Sequence, residues 1–172
     1  MSSAVISAQV RFALRFVGFG LPLFAAYTFP YDEHGRFAGW FESYLSGYAH
    51  LVGAALSVFE SGIHVSGQDI SGRFNLRIIQ SCDAMEAVIL FAAAVLAFPA
   101  TWPRRALGLV AGMTGIVVVN VARICSLYYV GLYLPARFEF YHLEVWPLLL
   151  VASAALAFLA WSHWATRVAP QP

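Results

Sequence analysis

The sequence predicts an all-α polytopic membrane protein, and three observations carry that reading. Of the 172 residues, 60% are hydrophobic and only 11% are charged, whereas a soluble domain of this size carries roughly 25% charged residues. Mean hydropathy is +0.71. The apolar residues also gather into runs that approach or exceed the about 20 helical residues a bilayer crossing needs. The expected architecture is a single membrane domain over 1–172 with four transmembrane helices, one interfacial amphipathic helix and a small periplasmic β-hairpin. A formal net charge of +1 without a basic tract excludes nucleic acid as a partner. The surrounding medium is membrane lipid.

The first span is expected over 12–29. Arg11 and Arg15 flank its start, but no small-residue cleavage site follows before Pro30, so it reads as a retained span rather than a cleavable signal. Next comes "WFESYLSGYAHLVGAALSVFE", residues 40–60. Phe41, Tyr44, Leu45, Tyr48, Leu51, Val52, Ala55, Leu56 and Phe59 recur at three- and four-residue steps, while Glu42, Ser46, His50, Ser57 and Glu60 take the other faces. That pattern suits the membrane interface better than its centre. Over 62–79, "SGIHVSG" and "GRFNLRIIQ" show short period-two alternation punctuated by Gly67 and Gly72, which predicts the hairpin.

The second span, 84–100, follows "SCDAMEA", in which Asp83 and Glu86 have the Asp-x-x-Glu form of a capping box. The third, 106–129, carries Gly108, Gly112 and Gly115, small residues that let membrane helices approach closely. The fourth covers 141–165. Tyr128, Tyr129, Tyr133, Phe140, Tyr141 and Trp146 read as an aromatic belt at the outer boundary. Arg11 and Arg15, Arg104 and Arg105, and Arg167 mark three junctions, and cytoplasmic flanks are the arginine-rich ones. Four spans with both termini in the cytoplasm put all three junctions on that side. Segments 30–81 and 131–140 then lie on the outer face.

This topology brings three reactive residues to the outer leaflet. Cys82 opens the second span, where a helix dipole would favour its thiolate. Arg123 lies about two turns inside the third, where an arginine costs at least about 2.5 kcal/mol unless paired or hydrated. Asn120, one turn away, marks the same helix face as polar. His142 opens the fourth span and has the near-neutral pKa that proton transfer requires. Glu86, one turn after Cys82, is a supporting candidate that could pair with Arg123, although capping explains it as well. Cys125 lies two residues past Arg123, about 200° around the helix, and reads as packing. His34, His50, His64 and His163 show no metal-ligand spacing, so neither a metal nor another cofactor is expected. A thiol, an arginine and a histidine form a set for acyl transfer through a thioester.

The ordered set "SCDAMEA", "NVARI" and "YHLEVW" resembles the exosortase/archaeosortase family of membrane cysteine transpeptidases, most of all exosortase H. The similarity runs from about Gly62 to Trp161, and "EAVILFAAAVLAFPA" and "FEFYHLEVWP" carry it most strongly. One departure is Asp83-Ala84, where many members have Ser-Gly or Asn-Gly after the cysteine. The resemblance implies that Cys82 is the nucleophile and that Arg123 and His142 complete the site. It also implies a bacterial inner-membrane location and, as partner, the C-terminal sorting-signal helix of exported proteins, with a motif of the IPTLxxWG type. Two other readings of the same residues stay open at this point: a four-helix thiol oxidoreductase using Cys82 and Cys125, and a non-enzymatic membrane assembly subunit.

Overall fold

The computed structural model describes residues 3–28 and 38–167; Phe29, at the end of the first expected span, and His34 lie outside them. The elements are α1 (Ser3–Thr28), α2 (Ala38–Ser57), β1 (His64–Ser66), β2 (Asp69–Ser71), β3 (Leu76–Arg77), a 3-10 turn (Gln80–Cys82), α3 (Met85–Ala97) and α4 (Trp102–Tyr133). A second 3-10 turn (Pro135–Arg137) leads into the single turn α5 (Phe138–Phe140), a π-helical stretch (Tyr141–Val145) and α6 (Trp146–Arg167).

Among the described residues, three segments are long and apolar enough to cross a membrane: Ser7–Thr28, Trp102–Tyr133 and Pro135–Arg167. Exposed side chains such as Leu14, Val110, Val118, Leu148 and Leu156 form the kind of apolar surface that a bilayer covers. The chain is thus a polytopic membrane protein. The expected second span is a 13-residue apolar helix, Met85–Ala97. At 1.5 Å per residue it is about 20 Å long, shorter than the about 30 Å hydrocarbon core. Pro99 disfavours a helical conformation at the residue before it, so the helix stops ahead of the expected end at residue 100.

The chain divides into two compact units. Among the described residues the first comprises α1, 85–116 and 152–167, and the second comprises 38–84 and 117–151; α4 and α6 contribute to both. In the first unit α1 packs on α3, with Gly20 facing Ala93. Gly108 lies against the Trp161 indole and Gly112 against the Phe91 ring, where a Cβ would overlap the aromatic atoms. Gly115 faces open space, so the close approach expected of all three glycines holds for two. Arg104 donates to the Ala165 carbonyl at 3.3 Å and Arg105 to the Phe98 carbonyl at 3.0 Å, basic groups satisfying carbonyls at or just past helix C-termini.

The second unit has its core between α2, the sheet and the C-terminal half of α4. Leu45, Tyr48, Ala49, Val52 and Leu56 from α2 meet Ile70, Ile78, Ile124 and Tyr128. Much of the apolar stripe on α2 is therefore covered by protein, while Leu51 and Phe59 from the same stripe are exposed. The expected hairpin is a three-stranded antiparallel sheet in the order β1-β2-β3. Between β1 and β2, Ser66 pairs with Asp69 across Gly67-Gln68. Gly67 takes φ 58, the left-handed backbone that a two-residue hairpin turn needs and glycine supplies without strain. The alternation seen over 74–78 is real, but it builds a third strand rather than the return arm of a hairpin.

Tyr128, expected in the aromatic belt, is fully buried instead. Its hydroxyl accepts the backbone N–H of Arg73 at 2.9 Å and that of Phe74 at 3.4 Å. Those bonds tie the loop before β3 to α4. Phe74 lies over Gly131, where a side chain would collide with the ring. Arg73 also stacks on Tyr133 at 5.8 Å and pairs with Glu60 at 3.6 Å.

Candidate active site

The thiol is reached through the 3-10 turn Gln80–Cys82, closed by the Cys82 N–H donating to the Ile79 carbonyl at 2.8 Å. Cys82 is half-buried and not in a disulfide. It stands three residues before the first helical residue, Met85, so it does not occupy the expected helix N-terminus. The dipole, which acts within the first turn of a helix, is not an argument for its reactivity.

Ala84 explains why the helix starts late. It has φ 57, the left-handed region that side chains other than glycine enter only at a cost of about 1–2 kcal/mol. With Ala84 in that conformation, Asp83 cannot be the N-cap of a helix beginning at Ala84. The expected Asp83/Glu86 capping box is corrected on that ground. Asp83 is instead 2% exposed, and its carboxylate is hydrogen-bonded by the Tyr44 hydroxyl. Glu86, on the first turn of α3, is exposed.

Asn120 and Arg123 fall one turn apart on α4, as their spacing requires, and both are buried, at 0% and 4% exposure. The Asn120 amide nitrogen donates to the Cys82 carbonyl at 2.7 Å and to the Tyr48 hydroxyl at 2.8 Å, and its carbonyl accepts from Arg123 Nη1 at 3.3 Å. A single amide thus holds the thiol-bearing turn, α2 and the arginine. Arg123 Nε is buried and has no hydrogen-bond partner. An unmade bond on a charged group is expensive in a low-dielectric interior.

His142 lies in the π-helical stretch Tyr141–Val145. Pro147, four residues past Leu143, has no N–H and its ring crowds the carbonyl four residues back; the helix widens over the turn that would carry that bond. The imidazole is half-buried, its ring 5.6 Å from that of Phe138. Cys82, Arg123 and His142 line one cavity of about 270 Å³, whose walls are otherwise mainly apolar: Leu76, Ile78, Ile79, Ile124, Leu127 and Phe138 among them. Cys125 packs against the hydrophobic cluster of the unit and is not part of that lining.

Sequence reasoning missed Asp83, Tyr44 and Tyr48 as members of this polar interior. Burial raises the pKa of both phenols above the ordinary tyrosine value; the nearby Asp83 carboxylate adds to the rise at each. Both stay protonated donors at neutral pH. Their i, i+4 spacing on the apolar face of α2 was the available signal. His50 bonds the Ser46 carbonyl at 2.8 Å and is exposed, as is His64. Among the described residues no group of three or more His, Cys, Asp or Glu is placed to hold a metal.

A sequence model of the transmembrane exosortase family matches residues 6–161. No curated protein and no solved structure matches the chain.

Proposed function

Because the chain belongs to the transmembrane exosortase family, we propose that it is a cysteine transpeptidase that cleaves C-terminal sorting signals of exported proteins at the periplasmic face of the bacterial inner membrane. The observation that carries this reading is the shared cavity, in which a thiol, a histidine and a buried arginine line the same small volume.

In this mechanism His142 takes the Cys82 proton and the sulfur attacks the scissile carbonyl carbon. The carbonyl oxygen becomes an oxyanion and accepts from the Arg123 guanidinium, whose charge is worth more in a mainly apolar, water-poor site than in water. The C–N bond then breaks, and His142 returns the proton to the leaving amine. The upstream part of the substrate is left as an acyl thioester on Cys82. A water, amine or lipid acceptor attacks that thioester, gives its proton to His142 and releases the thiolate, which recovers that proton from His142. Asn120 acts as a positioning residue, fixing the Cys82 carbonyl and one nitrogen of Arg123.

The substrate signal in this reading has a motif of the IPTLxxWG type, an apolar helix and a basic tail. The helix lies in the bilayer and places the motif at the depth of the cavity. Segment 84–100 acts as the short second of four crossings, with both termini cytoplasmic. Co-expression with such a substrate tests the proposal: Cys82→Ala leaves the membrane-inserted protein intact and abolishes processing, and Arg123→Ala and His142→Ala each lower it by at least about a hundredfold. Normal processing by Cys82→Ala would sink it.

A further inference from the structure

β3 is an edge of the sheet, and the run 74–79 that contains it forms one wall of the cavity shared by Cys82, Arg123 and His142. The register decides which backbone groups of that edge are turned outward. Arg77 lies opposite Asp69, Leu76 lies opposite Ile70, and the Ile78 N–H donates to the Gln68 carbonyl at 2.9 Å. In an antiparallel ladder, pairs that exchange hydrogen bonds alternate with pairs that do not. Gln68 with Ile78 and Ile70 with Leu76 are therefore bonded pairs, and Asp69 with Arg77 is not. The N–H and C=O of Arg77 point away from β2. Two residues further along, the Ile79 carbonyl takes the N–H of Cys82. The outward edge of β3 thus runs directly into the turn that carries the thiol.

A second observation points to a ligand at the same place. Arg123 is 4% exposed, lines this cavity, and has an Nε–H without an acceptor. The cavity thus has a backbone donor and acceptor in one wall and the buried, positively charged Arg123 side chain in its lining.

We infer that the substrate segment just upstream of the scissile bond binds as a fourth strand along β3, exchanging main-chain hydrogen bonds with Arg77. The inference rests on the reading of Cys82 as nucleophile and adds the conformation in which the substrate is held. A peptide in a helix has its carbonyls bonded to N–H groups four residues on, so the reacting carbonyl must come from an unwound segment. Unwinding leaves the substrate's own N–H and C=O groups unmade in a largely apolar site, which is costly. An open strand edge supplies partners for them, the mode by which sheet edges take up extended peptides. Alternate side chains of the added strand face the same side, so recognition reads every second residue. The apolar surface of Leu127 and Phe138 in the cavity suits apolar side chains at those positions.

The test uses the full-length protein in detergent and a synthetic peptide with a motif of the IPTLxxWG type, an apolar helix and a basic tail. Amides before the scissile bond are replaced one at a time by esters, which removes single N–H donors. A fourth strand predicts a period-two pattern: the ester facing the Arg77 carbonyl raises KM about fivefold, the loss of one hydrogen bond, and its neighbours on either side have little effect. On the protein side, Arg77→Pro removes the outward N–H while leaving the bonds to β2, and its KM should exceed that of Arg77→Ala about fivefold, with Cys82 still alkylated by maleimide at the wild-type rate. Cys82-dependent cleavage with a flat ester profile, and equal KM for the two Arg77 variants, overturns the fourth strand alone. Cleavage that persists in Cys82→Ala overturns the catalytic reading on which it rests.

Discussion

Asn120 uses its one side chain to satisfy three elements: the carbonyl of Cys82, the hydroxyl of Tyr48 and the guanidinium of Arg123. Asn120→Ala leaves those groups unpaired in a buried site, so it is expected to destabilise the protein by about 1–3 kcal/mol and to lower processing more than that loss of folded protein explains. Denaturation in detergent together with the rate per folded molecule separates the two effects. Ala84 offers the opposite experiment. Its left-handed backbone, φ 57, is natural to glycine. Ala84→Gly should raise stability by about 1 kcal/mol with the thiol's reactivity unchanged, and a lower melting temperature would contradict the assigned conformation. Arg123 and Asn120 were legible in the sequence because polar groups inside an apolar run demand an explanation. Asp83 was not, because capping gave it a sufficient one; only the backbone at Ala84 removes that explanation.

Among the elements, the sheet matters for where it places its edge. Tyr128 fixes the approach to β3 by accepting two backbone N–H groups. Tyr128→Phe keeps the ring and removes both bonds, with an expected cost of about 1–3 kcal/mol and a higher KM for a peptide substrate; an unchanged KM at full folding would detach this anchor from substrate binding. The helices were readable from apolar runs and Arg-marked junctions, and α2 from its three- and four-residue steps. The sheet was only half readable. Strands of two and three residues are too short to show a period, and pairing between them depends on turns and on Ile70 and Ile78 reaching a core that no local pattern reveals. Tyr128 was misplaced for a related reason: an aromatic residue near a helix end looks alike whether it faces lipid headgroups or the interior.

For the whole molecule, membership of the exosortase family and the three long apolar helical segments among the described residues make a multi-pass membrane protein, and the short α3 is the element on which the topology turns. With four crossings and cytoplasmic termini, a membrane-impermeant maleimide added to spheroplasts of a Cys125→Ala strain should label Cys82 from the periplasmic side; labelling only after the membrane is broken would reverse the orientation. The measurement that bears most directly on the central claim is mass spectrometry of the protein incubated with the sorting-signal peptide. The account predicts a hydroxylamine-labile adduct on Cys82 equal in mass to the upstream fragment of the peptide, absent from Cys82→Ala. Complete cleavage of the peptide with no such adduct, continuing undiminished in Cys82→Ala, would contradict it.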